Sequence, residues 1–277
     1  MTRDSGIDRR AFVGVVAAAT ATGIAPVPAA QAAPPPKPTA SGRPRLLFAS
    51  GGGFIPQAWQ PSLMPPYLLG LSPAKSPKIC WLGPASGENP NSFEGWQREM
   101  QRHDCRAYHF NIYQPATLDF AGYLSEMDII FVGGGSTKNL MALWREWDFA
   151  PALRVAWDAG AILSGESAGM ICWFQSGLTD SFPEVLGPVK GLGFLPGSAN
   201  PHYNIRPDRQ SRYRELIANG TLDSPGLALD QDTSVLYRDG AIAEIVSARK
   251  TAGAWRLTRT PTGYEETKLP VRYLGKD

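Results

Sequence analysis

The sequence predicts an α/β fold: a doubly wound, mostly parallel sheet with antiparallel hairpins at the C-terminal end. Three observations lead there. Short apolar runs stop at glycine, segments of helical period lie between them, and the texture changes to alternation after Gly226. Apolar runs alternating with helices are the pattern of strands covered on both faces.

Taken in order, "RLLFASGGG" (45–53) reads as a buried strand stopped by three glycines, and "KICWLGPAS" (78–86) repeats the design. The intervening "IPQAWQPSLMPPYLLGLSP" holds too many prolines for a long helix and leaves room for a short one. "NSFEGWQREMQRHD" (91–104) spaces Phe93, Trp96 and Met100 by three and four, which is helical. "CRAYHFNIY" alternates like a strand. "MDIIFVGGGSTKNLMALWREW" gives strand, glycine turn and helix, with Leu140, Leu143, Trp144 and Trp147 on one face. "PALRVAWDAGAILSGESAGMICWF" gives helix, strand, turn and helix. From Gly226 the chain alternates and turns at Asp239-Gly240, the mark of a hairpin.

Composition sets limits. With 277 residues, 43% hydrophobic and 19% charged, the chain can fill one sizeable core. A net charge of +2 is too small to point to nucleic acid or an anionic membrane. Cys80, Cys105 and Cys172 form no C-x-x-C pair and no disulfide framework. At the N-terminus, Arg9-Arg10 precede an alanine-rich apolar run ending Ala30-Gln31-Ala32. Residues 1–32 therefore read as a twin-arginine signal peptide. The expected partner is the twin-arginine export machinery and the expected location is extracytoplasmic. The run is short and broken by Thr, Gly and Pro, so stable membrane insertion is not expected. Residues 33–44 form a proline-rich spacer, and 45–277 a single catalytic domain.

In doubly wound sheets, ligands bind beyond the carboxyl ends of the strands. Three motifs fall there: "SGGG" (50–53), "GGGSTK" (133–138) and "GESAG" (165–169). None completes a nucleotide-binding pattern, and no cofactor is expected. A glycine turn can instead offer backbone N–H groups to a developing oxyanion. In "GESAG", Ser167 reads as the hydroxyl of a nucleophile elbow; the plain alternative is a helix cap. Of the three histidines, His103 and His109 flank Cys105 in "RHDCRAYH". A helix end and an alternating strand explain those three without a metal. His202 lies in a loop after the elbow, where it can accept the proton of Ser167. Asp180, Asp230, Gln231 and Asp232 are open as the group that orients the imidazole. A nearby aspartate is favoured because a carboxylate would stabilise the imidazolium.

The set "GGGSTKNLMALW", "SGESAGMICWFQSGLTDS", "GLGFLPGSANPHYN" and "ALDQDTSVLY" resembles the peptidase E family of serine peptidases, which includes aspartyl dipeptidases and cyanophycinases. The resemblance runs from about residue 45 to about 237. It implies the flavodoxin-like arrangement of class I glutamine amidotransferase domains. It also implies Ser167 as nucleophile, His202 as base, and Gly135 and the amide of Ala168 as oxyanion donors. Asp180 matches an aspartate proposed as essential in the dipeptidases. Gln231 departs from the family, which usually has Glu or Asp there, and Arg206 stands where relatives tend to carry Glu. Arg206, Arg209 and Arg212 would suit an acidic substrate group, or simply form a solvated helix start. The implied function is an exported serine peptidase of short peptides, N-terminal aspartyl peptides among them. The alternatives are a cyanophycinase-like hydrolase of β-aspartyl-arginine peptides, and a catalytically weak amino-acid- or peptide-binding protein.

Overall fold

Five parallel strands form the frame on which the site is built. They are β1 (Leu46–Ser50), β2 (Lys78–Leu82), β3 (Arg106–His109), β4 (Ile129–Val132) and β5 (Ile162–Glu166), arranged β1-β5-β4-β2-β3. The structure is a computed structural model that describes residues 42–55 and 62–276. The predicted signal peptide and most of the spacer lie outside the described residues.

The apolar runs sort into two cores by strict alternation. Leu47, Ala49, Cys80, Leu82, Ile130 and Val132 face one side, and Leu46, Phe48, Ile79, Trp81, Ile129 and Phe131 the other. A period of two therefore feeds a hydrophobic layer on each face, which is what doubly wound means in side-chain terms. The covering helices are α1 (Met64–Gly70), α2 (Pro90–Met100), α3 (Phe120–Ser125), α4 (Thr137–Glu146) and α5 (Ala150–Ala159). α4 begins where the sequence placed it, and Ser136 Oγ accepts the Asn139 N–H as its cap. α1 is the short helix left room for between the prolines.

Two differences from the sequence reading concern the segment after the elbow. The expected helix is a single turn, α6 (Ala168–Ile171), because Trp173 and Phe174 sink into the core as β6 (Phe174–Thr179) starts to pair with β8 (Leu195–Asn200). Moreover, the later strands build a second sheet as well as extending the first. β6, β8 and β9 (Gly226–Leu229) are parallel at its centre, flanked by β7 (Gly187–Lys190), β12 (Ala254–Thr260) and β13 (Gly263–Leu269), with α7 (Pro207–Ala218) packed on it. β10 (Thr233–Arg238) pairs antiparallel with β1 and turns at Asp239-Gly240 into β11 (Ala241–Ser247), as the alternation predicts. β14 (Arg272–Tyr273) completes the eight-stranded sheet.

Candidate active site

β5 ends at Glu166, and the chain reverses abruptly at Ser167 into α6. Ser167 holds φ +56°, ψ −110°, a sparsely populated conformation for a non-glycine residue. Its N–H donates to Ser50 O on the adjacent β1 at 3.0 Å, which pins the turn to the sheet edge. The turn closes tightly: a methyl group at Gly169 would lie 2.1 Å from Val132 O.

His202 follows β8, also with positive φ (+54°), and its N–H donates to Gly51 O at 2.9 Å. Its Nε2 lies 2.9 Å from Ser167 Oγ, and its Nδ1 lies 2.6 Å from Gln231 Oε1. An amide oxygen only accepts, so Nδ1 carries the proton and the Nε2 lone pair faces the serine hydroxyl. Gln231 is itself fixed. Its N–H donates to Asn204 Oδ1 at 2.9 Å, and its carbonyl accepts Arg249 Nη2 at 3.2 Å. The connected chain Ser167–His202–Gln231 can draw a proton from the hydroxyl while holding the ring in one tautomer.

The favoured aspartate is not at the ring. Asp230 turns inward and accepts the Gly253 N–H at 2.9 Å. Asp232, at φ +65°, turns out to Arg249, with Oδ2 3.4 Å from its Nη2. Asp180 accepts Arg209 Nη2 at 2.8 Å. Successive side chains at a strand end point different ways, and Gln231 is the one directed at His202. Burial is the largest influence on the imidazole and pushes its pKa below the ordinary value; Arg209 acts in the same direction, while the Gln231 hydrogen bond, Asp180 and Asp232 oppose. His202 is thus held neutral, the form a base needs.

The glycines of "SGGG" serve a purpose that the sequence did not reveal. A methyl group at Gly52, whose φ is +125°, would lie 2.4 Å from both Gln231 Oε1 and His202 Cε1. This loop is the bed of the His202–Gln231 pair. The second glycine turn lies across the cavity, and a methyl group at Gly134 would lie 3.3 Å from Ser167 Cβ. Gly135, at φ +132°, backs onto Ala85, and Ala168 opens α6.

A cavity of about 650 Å³ opens over Ser167, with Gly134, Glu166, His202 and Gln231 around it and Asp180, Arg206 and Arg209 along one edge. Arg209 is buried and Arg206 is exposed, paired with Asp208 in the first turn of α7. Arg212 stays outside the cavity and pairs with Glu215. Glu166 is the residue that sequence reasoning passed over, although it is the charged end of an apolar strand beside the elbow. Its Oε2 accepts the Phe54 N–H at 3.0 Å, and burial pushes its carboxyl up to about 7. His103 and His109 each face a glutamate, Glu99 and Glu88, at 3.3 and 2.7 Å. Among the described residues, no three His, Cys, Asp or Glu side chains are grouped to hold a metal.

A family model for peptidase family S51 matches residues 46–245. Over 231 residues the sequence is 39% identical to the uncharacterized peptidase YgaJ of Bacillus subtilis, covering 83% of this chain and 99% of that one. Peptidase E of Shewanella amazonensis is 31% identical over 125 residues, 42% of this chain and 53% of that one. Two solved structures share the fold. A putative peptidase E protein from Listeria monocytogenes EGD-e has a TM-score of 0.54 at 14% identity, over 82% of this chain and 100% of its own. A peptidase from an acI-B1 Actinobacterium has 0.59 at 17% identity, over 83% and 98%.

Proposed function

The chain belongs to peptidase family S51, and on that premise we propose that it is a serine peptidase of short peptides with Ser167 as nucleophile and His202 as base. The observation that carries this reading is the hydrogen-bonded chain from Ser167 Oγ through the imidazole to Gln231. Ser167 Oγ attacks the scissile carbonyl while its proton passes to His202 Nε2. The amide of Ala168 and the glycine turn at Gly135 hold the oxyanion. His202 then returns the proton to the leaving amine, and water releases the acyl group by the reverse path.

Arg206, exposed at the cavity edge beside the buried Arg209, favours a substrate with an acidic group on the leaving side, such as the terminal carboxylate of a short peptide. A cavity of about 650 Å³ suits short peptides better than folded chains. A second reading, a weakly catalytic peptide-binding protein, draws on one feature: Gln231 offers the imidazolium no charge. The paired arginines at 9 and 10 carry the further proposal that the enzyme is exported folded, and replacing both with lysine should leave it in the cytoplasm.

The test is hydrolysis of a dipeptide panel by the purified protein and by Ser167→Ala. Turnover by the parent should fall roughly 10³-fold or more in the variant. Equal turnover by the two proteins would refute the assignment of Ser167.

A further inference from the structure

Resting on the serine-peptidase reading, we propose that Glu166 and the aromatic recess beside it form a subsite for a positively charged group on the acyl residue of the peptide. That cation is a free α-ammonium or a basic side chain. Beside the main cavity lies a second hollow of about 300 Å³, walled by Trp81, Trp96, Phe131 and Gly133. Glu166, Gly134 and Ile55 line both hollows, so the carboxylate stands at the passage between them.

Glu166 has no cation beside it among the described residues. Among the described residues its carboxylate takes one hydrogen bond, from the Phe54 N–H, and no Lys or Arg pairs with it. The other carboxylate that lines the main cavity differs. Asp180 is already held by Arg209. A half-buried carboxylate with no counter-charge beside it is costly, and a substrate cation entering there lowers that cost. Aromatic faces around the recess add cation–π attraction and cover the methylene stem of a long basic side chain.

The side of the scissile bond follows from the chemistry. His202 must reach the leaving nitrogen, so the leaving residue lies over His202, toward Arg206 and Arg209. The acyl residue lies toward the recess, whose lining includes neither His202 nor either arginine. A dipeptide zwitterion is then matched at both ends, with its ammonium near Glu166 and its carboxylate near Arg206.

Four diphenyl aminoalkylphosphonates test this. They carry a lysine-like or a norleucine-like side chain, each with the amine free or acetylated. Ser167 Oγ would attack phosphorus and expel phenoxide, so phenol release gives the rate and mass spectrometry gives the site. The cationic probes should react about 10- to 100-fold faster than the acetylated norleucine probe, the range of a charge-assisted hydrogen bond. Which of them gains tells whether the α-ammonium or the side chain is read. In Glu166→Gln the ratio of cationic to neutral rates should fall to about 1. Modification of Ser167 without any preference for a cation in the parent, or a preference unchanged in Glu166→Gln, overturns the subsite and leaves the serine reading standing. Failure of every probe to modify Ser167 overturns the serine reading, and the subsite with it.

Discussion

Gln231 Oε1 stands 2.6 Å from His202 Nδ1, where a carboxylate would supply the counter-charge to an imidazolium. The amide fixes the ring and its tautomer but stays neutral as charge develops. Gln231→Glu should therefore raise kcat, roughly tenfold, since a charge-assisted hydrogen bond is about twice as strong as a neutral one. Asp232→Asn should change kcat by only a few-fold, because Asp232 faces Arg249 and not the ring. Kinetics of the two variants on one peptide substrate check both. A large loss in Asp232→Asn with no gain in Gln231→Glu would move the orienting role to the aspartate.

Gly52→Ala should disable the site without unfolding the protein. The added methyl meets Gln231 Oε1 and His202 Cε1, both at 2.4 Å, and the residue must keep φ +125°. Strain of about 1–3 kcal/mol is expected, with a Tm fall of about 2–4 °C for each kcal/mol. Displacing the imidazole by about an ångström should cost on the order of 100-fold in kcat. Gly70→Ala is the control, since a methyl there meets nothing within 4 Å. Unaltered kcat in Gly52→Ala would show that this bed does not hold the pair.

The pH dependence has two signatures of opposite sign. Burial lowers the His202 pKa, so kcat should be flat at neutral pH and fall only below 6.5, its ordinary value. Protonation of the unfolded chain near 6.5 likewise drains stability as the pH falls. Glu166 behaves in reverse: raised from 4.5 to about 7, it stabilises fully below 4.5 and loses that contribution as the pH rises through about 7. Glu166→Gln should thus gain in Tm relative to the parent at pH 8 compared with pH 5. A Tm difference that is the same at both pH values would contradict a half-buried carboxylate that no Lys or Arg pairs with among the described residues.

The sequence made much of this architecture legible because the physics is local. Strand residues such as Leu47 and Phe48 alternate between two cores, and Ser136 caps α4 within four residues. The elbow is legible for the same reason, as Gly165 to Gly169 must all fit one turn. The orienting residue is not. Asp230, Gln231 and Asp232 differ in direction by backbone rotations at a strand end, and the φ of +65° at Asp232 leaves no mark in composition. Nor is the bed under His202, since Gly52 and Gln231 meet only after β1 and β10 pair. The second sheet was hidden because β6, β8 and β9 take their partners from distant segments. Glu166 was hidden because its meaning depends on which described residues surround it, among which no cation pairs with it, a property of the fold and not of the motif.

A fluorophosphonate reacts with an activated serine hydroxyl, so locating its adduct by peptide mass mapping shows whether His202 activates Ser167. The parent should carry a single adduct on Ser167, and His202→Ala should label roughly 10³-fold more slowly. An unlabelled Ser167 in the folded parent, or equal labelling in parent and His202→Ala, would contradict the account.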